Sequence, residues 1–314
     1  MKLEVGRGIL ARVALVAVLA VPVAAAGKEC GGAVACACGD SVRGTAVLTQ
    51  DLVGCTNGLR VKNEAVLDCA GHAVSGAVPG GNEGIVVEAQ NAVVRDCTVS
   101  GFKTGIRVRG GGANRIVDNA VVGNSRYGIE LAVATTGNEI AGNVVLDSGD
   151  EGIHVGTGAD ANVIAGNEIA RSKRENLYLL DVERCRIEGN RLSGGGSAAI
   201  YVKHSRANVF AGNEVEDRPI QLRGESDANV FVDNRVDGAG VLFQAYKDAK
   251  RGWKGPRRNV VQGGAVLDVK TCFRFEGAAQ NEVSGVRVDR CRPFSQKKVG
   301  GIAATGNKVA VVRD

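Results

Sequence analysis

From Leu59 onward, apolar residues recur in pairs flanking a single polar position, and the pairs return mostly every 20 to 24 residues. Ile129 and Leu131 flank Glu130, Ile153 and Val155 flank His154, and Ile200 and Val202 flank Tyr201. Alternation over so short a run predicts a strand, with the flanking residues inward and the middle one outward. A second run follows in each copy: Ile140 and Val145 bracket Gly142-Asn143, and Ile164 and Ile169 bracket Gly166-Asn167. The Gly-Asn pair reads as a corner between two short strands, because both residues tolerate positive φ. No window carries the apolar spacing of a helix.

Self-similarity at this period predicts stacked units, each burying its apolar face against the next. The first inward position runs through Leu59, Ile85, Ile106, Ile129, Ile153, Leu177, Ile200 and Ile220, then near Phe243, at Phe273 and near Phe294. Corner residues Asn119, Asn143, Asn167, Asn190, Asn213 and Asn234 keep the same register. Stacked at a strand spacing of about 4.8 Å, their amides can bond in a ladder. The two earliest coils carry Cys69 and Cys97 at that corner, which makes these thiols stacked neighbours.

The first residues follow a different logic. Lys2, Arg7 and Arg12 precede the apolar run from Val13 to Val21, and Ala24-Ala25-Ala26 offers a cleavage site. That run is short for a bilayer span, and no second long apolar stretch follows. An export signal over 1–26 is therefore expected, with a mature chain that lies outside the cytoplasm and does not span a membrane. All nine cysteines fall after it, which suits an oxidising compartment. Disulfide stapling is the expected use, Cys185 the thiol left over, although Cys36-Ala37-Cys38 has a spacing that also suits a soft metal. Of the net charge of +5, the signal segment supplies +2, and the mild remainder does not point to nucleic acid.

The repeat G-[IV]-x-[VL] followed by N-x-[IV]-x-G-N-x-[VI] resembles that of the right-handed parallel β-helix proteins of the pectate-lyase-like superfamily, from about Gly58 to the end. The stretch Cys38 to Cys55, followed by Leu67 to Gly76, is similar to the capping segment of many exported bacterial members. The resemblance implies a Cys38–Cys55 disulfide and a closed first coil. It implies a fold more strongly than an activity, since the superfamily holds lyases, hydrolases, epimerases, adhesins and a copper-maturation accessory protein. The expected architecture is all-β: a signal over 1–26, a disulfide-rich cap over 27–57, and a single-stranded right-handed parallel β-helix of about 10–11 coils over 58–314.

Outward positions of the first strand stack into a stripe that reads Arg107, Glu130, His154, Tyr178, Tyr201, Gln221. Asp150, Glu151, Arg174, Asp181, Lys203, His204 and Arg223 flank it. A long polar groove of this kind suits an extended acidic sugar chain. Proton abstraction beside a uronate carboxylate needs a base, a proton donor and a cation for the enolate-like intermediate. His154, Tyr178, Tyr201 and Lys203 are the catalytic candidates, and Arg107, Glu130, Arg174, His204 and Arg223 the substrate-binding ones. Taken singly, each is equally a solvated strand position, since outward residues are polar by default.

The insertion Tyr246 to Asn259 lengthens one coil to about 30 residues and holds six basic residues, one acid and the single tryptophan. Insertions in solenoids emerge as loops, often on the binding face, so Trp253 joins the candidates, with a plain packing role as its alternative. The superfamily's better-defined catalytic signatures do not occur together here. No cofactor is expected; Asp150, Glu151 and Asp181 are the carboxylates on which a Ca²⁺ would draw. The leading expectation is an exported protein that binds an acidic polysaccharide, with lyase- or epimerase-type modification as its catalytic form. A non-catalytic structural rod and a periplasmic metal or maturation accessory protein remain open, as do the sugar and the oligomeric state.

Overall fold

The computed structural model describes residues 27–77 and 81–313; the expected export segment lies outside them. Every regular element among the described residues is a strand. Each full coil contributes three, as in Tyr127–Leu131, Glu139–Ala141 and Val144–Leu146. Stacking them gives a right-handed parallel β-helix with three faces. The first strands form one 13-stranded sheet, and the second and third strands belong to a 22-stranded one. The count exceeds the expected coils because Glu29–Cys30 and Ser41–Val42 also pair onto the first face.

The predicted inward positions are paired one to the next from Leu59 to Ile220. Beyond Ile220 the register passes to Val241, Phe273 and Phe294, so Phe243 occupies the second inward position of its strand rather than the first. Phe243 and Phe275 stack within the core at 5.0 Å, as do Phe210 and Phe231 at 4.4 Å. Short parallel strands buried on one face by their own solenoid need no covering helices, which is why the sequence alternates rather than running continuously apolar.

The corner asparagines form the ladder the spacing predicts. Asn119, Asn143, Asn167, Asn190, Asn213 and Asn234 are joined by Nδ2-to-Oδ1 bonds of 2.8 to 3.0 Å. Each Oδ1 also accepts the backbone N–H of the preceding asparagine, as Asn167 Oδ1 does from Asn143 at 2.9 Å. Only the first residue of the corner is left-handed: Gly142, Gly166, Gly189 and Gly212, with Asp118 and Asp233 in the same place. The asparagine is there for its amide.

A second ladder stands at the turn between first and second strands, built from the leading Asn of the repeat. It runs Asn114–Asn138–Asn162, is interrupted by Cys185, and resumes through Asn208, Asn229, Asn259, Asn281 and Asn307. Cys185 is buried and free of a disulfide, while Cys30–Cys36, Cys38–Cys55, Cys69–Cys97 and Cys272–Cys291 are disulfides. The long coil leaves the ladder intact, since Asn229 still bonds Asn259 at 3.0 Å. Its extra residues leave the coil as an antiparallel hairpin of Tyr246–Asp248 and Gly252–Lys254.

Replacing Asn167 by Ala strips a partner from two buried donors of Asn143. We expect a loss of about 2–4 kcal/mol in urea unfolding. A loss below about 1 kcal/mol would show that the ladder does not hold the stack.

Candidate functional site

The outward stripe is in strict register: Arg107 opposes Glu130, Glu130 opposes His154, and Tyr178, Tyr201 and Gln221 follow. One strand spacing brings the rings of neighbouring coils together. His154 and Tyr178 have centroids 5.4 Å apart, and Tyr178 and Tyr201 5.2 Å apart. Tyr127 lengthens the column from the other side, stacked on His154 at 4.5 Å. Both ends are closed by cations. Arg126 lies 4.3 Å over the Tyr127 ring. At the other end Arg223 donates to the Tyr201 hydroxyl at 3.0 Å.

Arg223 and Lys203 also sit 4.6 and 4.5 Å over the ring of Tyr246, which the hairpin brings across. The column therefore reads Arg126, Tyr127, His154, Tyr178, Tyr201, Arg223, Tyr246. Because its rings lie against one another, their faces are largely used up. What it offers a ligand is polar edges: phenol hydroxyls and an imidazole.

A buried acid cluster flanks the column where the chain enters the first face. Glu151 and Glu175 are 2% and 4% exposed, and the Arg174 guanidinium lies 3.5 Å from each carboxylate and 3.3 Å from that of Asp150. Ser197 donates to Glu175 at 2.6 Å. Burial, reinforced by the Asp150 carboxylate, pushes Glu151 up to about 7. Burial, with the Arg126 charge behind it, pushes His154 down to about 4, so its imidazole is neutral at physiological pH. His154 Nδ1 stands 3.9 Å from Glu151 Oε2, beyond hydrogen-bond reach, and both atoms are buried without a partner.

Burial also raises Tyr127 to about 12 and moves Tyr178 and Tyr201 in the same direction. These phenols hold their protons, which suits them as donors and not as bases.

The structure thus sets His154, Tyr178 and Tyr201 in one row, with Lys203 and Arg223 at its Tyr246 end and Arg174 in the acid cluster near its His154 end. Other candidates stand elsewhere. Arg107 is committed to Glu83 at 2.9 Å and Glu130 at 3.1 Å. His204 sits in a left-handed turn, φ 51°, buried beneath the hairpin. Its Nδ1 accepts the Glu225 N–H at 3.2 Å, and its Nε2 lies 3.7 Å from Asp248. Trp253 rests against Gly300 of a later coil, on the side of the hairpin away from the column.

Between hairpin and turns lies an open polar depression of ≈ 460 Å³, but its charges cancel in pairs such as Arg251–Asp181 at 2.9 Å and Arg206–Glu183 at 2.6 Å. Sequence reasoning missed Tyr127, Glu175, Ser197 and Tyr246. The first three precede the repeat's inward residues at places the motif leaves unspecified, and Tyr246 lies in an insertion without a register.

Residues 131–312, more than half of the chain, match the family model described as "Right handed beta helix region". The chain belongs to that family. Residues 40–179 of this β-helix also match the model "Periplasmic copper-binding protein (NosD)". No curated protein sequence matches it.

Among solved structures, the A-module of mannuronan C-5 epimerase AlgE6 from Azotobacter vinelandii superposes with TM-score 0.63 at 14% identity, over 88% of this chain and 80% of that one. The alginate lyase from Paenibacillus sp. FPU-7 gives 0.50 at 13% identity, over 90% and 94%. The catalytic unit of the α-1,3-glucanase of Streptomyces thermodiastaticus gives 0.53 at 13%, over 86% of this β-helix and 63% of the glucanase chain. At such identities these likenesses speak to the fold alone.

The copper named by one family model finds no matching donor set. Among the described residues no three His, Cys, Asp or Glu side chains gather as metal ligands. His72 bonds Asp51 at 3.0 Å, several coils from His154, and every cysteine but buried Cys185 is in a disulfide. Asp150 and Glu151 answer to Arg174, and Asp181 to Arg251. No helix among the described residues is long and apolar enough to cross a membrane.

Glu151 and His154 pull stability in opposite directions with pH. Glu151 binds its proton more tightly folded (about 7 against 4.5), so its contribution falls as pH rises through that window. His154 binds its proton less tightly folded (about 4 against 6.5), so its contribution rises with pH between those values. Glu151→Gln should leave a Tm that climbs from pH 4.5 to 6.5, and His154→Gln one that declines. Thermal melts across that range check both slopes, and parallel curves for the two variants would contradict the assignment.

Proposed function

We propose that this β-helix is exported and binds an acidic polysaccharide along its first face, cleaving it by β-elimination at a uronate residue. The observation that carries the reading is the unbroken column from Arg126 to Tyr246, in which a run of polar ring edges lies between cations at either end. Such a row can address successive sugars of an extended chain. Export is supported by the four disulfides and by the match to a periplasmic family model. Action on acidic polysaccharides is also what the names of the mannuronan epimerase and the alginate lyase state for those proteins.

The chemistry assigns roles by protonation state. Neutral His154 takes the proton from C5 of the uronate, and Arg126 with Arg174, the cations whose charge reaches His154, neutralises the carboxylate as it gains enolate character. The electron pair then forms the C4–C5 double bond and expels the 4-oxygen, which accepts the proton of Tyr178 or Tyr201. His154 and these tyrosines form a single row, so they meet one side of the sugar. One-sided removal of H5 and O4 fits a uronate whose 4-oxygen is equatorial, of gluco or manno configuration. Epimerisation needs a donor on the opposite side, which the row does not provide.

The match to the periplasmic copper-binding model favours a second reading, a periplasmic accessory protein. It acts through protein contacts, because the donor set for copper is lacking among the described residues.

Incubation with mannuronan, glucuronan and pectate, followed by the ultraviolet absorbance of the unsaturated product, tests the lyase. Product is expected from the first two and not from pectate. His154→Ala should lower kcat by about 10²–10⁴, the usual contribution of a general base. The wild-type rate should fall as pH drops through about 4, where His154 takes up its proton. EDTA should leave the rate unchanged, and dependence on Ca²⁺ would overturn the metal-free mechanism. No product from any of the three polymers would sink the lyase reading.

A further inference from the structure

Beyond the column, the first face continues through Gln221 and Leu242 to Arg274. Beside the strands Val241–Gln244 and Thr271–Glu276 lies a notch of ≈ 330 Å³, lined by Asp217, Pro219, Ala239, Lys270, Thr271 and Arg274. That size falls at the low end of ligand pockets, about 300–1,000 Å³. The notch has a local cause. The turn before Val241 is Gly238-Ala239-Gly240, three residues with almost no side chain, between turns that carry Pro219 on one side and Val269 and Thr271 on the other. Gly240 cannot be filled by mutation, because a Cβ there would meet the carbonyl oxygens of Thr271 and Cys272 at 2.7 Å each. The wall is fixed from behind, since Thr271 pairs with Arg292 and Cys272 is bonded to Cys291.

The charges around this notch are unlike those elsewhere. Of the four arginines that line the polar depression beside the hairpin, Arg206, Arg251 and Arg257 are spent in ion pairs. Asp217, Lys270 and Arg274 have no ion-pair or side-chain hydrogen-bond partner among the described residues. Two uncommitted cations and one carboxylate thus stand at the mouth of a small, mainly apolar hollow. This is the complement of a sugar acid: a C–H face for Pro219, Ala239 and Val269, a carboxylate for Lys270 and Arg274, hydroxyls for Asp217 and Thr271.

We propose that this notch binds one uronate unit of the polysaccharide, as a subsite remote from the reacting column. Three coil steps separate Tyr201 from Arg274, about 14 Å along the axis. A chain lying along the first face would reach both. The assignment rests on the polysaccharide reading above, but occupation of the notch by a single sugar acid does not require cleavage.

The test titrates the whole protein with sodium glucuronate, with glucose as the neutral control, following binding by calorimetry and NMR. Glucuronate should bind saturably and glucose at least about tenfold more weakly, the value of one charge-assisted contact. Lys270→Gln and Arg274→Gln should each weaken glucuronate by about tenfold. Ala239→Phe, which fills the hollow, should abolish binding, and unchanged thermal melts of all three variants establish that they fold.

Equal affinity for glucuronate and glucose, or undiminished glucuronate binding by Arg274→Gln and Ala239→Phe, overturns the subsite. The two readings fail separately. Glucuronate held at the notch by a protein that ignores every polymer sinks the lyase alone. Cleavage of polymer with the same KM in Arg274→Gln and wild type sinks the subsite alone.

Discussion

A carboxamide placed between two coils can donate to one neighbour and accept from the other, and the molecule repeats that arrangement along two edges of its triangular section. Parallel strands alone allow slippage, because one residue of offset exchanges the inner and outer faces of a coil. The asparagine oxygen forbids it by accepting both the backbone and the side-chain N–H of the coil before, at 3.0 and 2.9 Å between Asn119 and Asn143. These groups are fully buried, where an unmet donor costs more than a formed bond returns. Register is thus enforced from the corners, and the side chains on the faces are free to be chosen for other reasons.

The first face shows what that freedom permits. A stack held at fixed spacing lines aromatic and charged side chains in contact without any of them having to fold the chain. The same rigidity buries Glu151 and His154 far enough to move their proton affinities in opposite directions, toward an acid that keeps its proton near neutrality and an imidazole that does not take one. Shifts of this kind arise from burying ionisable groups three residues apart in one coil at the edge of a dry core. Arg174 bridges three carboxylates at 3.3 to 3.5 Å and keeps the cluster from flying apart.

How much of this could be read from the residues depended on periodicity. The inward positions and the corner ladder follow from spacing alone, and the register of the stripe from Arg107 to Gln221 is recovered from the same count. The second asparagine ladder was present in the motif as its leading Asn, yet unread, because a turn residue with an amide is common for local reasons. The fate of His204 was not legible. Its neighbours suggested an outward side chain, but it adopts φ 51° and is covered by a hairpin whose path no repeat predicts. Trp253 and Tyr246 divide for the same reason: seven residues apart on one hairpin, they meet different coils.

The bond from Asn229 to Asn259 spans 30 residues, and the one from Asn213 to Asn234 spans 21, with lengths of 3.0 and 2.8 Å. The two amides cannot tell how much chain lies between them. Length added at that turn is therefore invisible to the stack, and its cost is the slow logarithm of loop closure. Evolution, or an engineer, can exchange the hairpin for another without renegotiating the fold. The turn works as a socket, in which new recognition elements can be tried while the rod beneath stays the same.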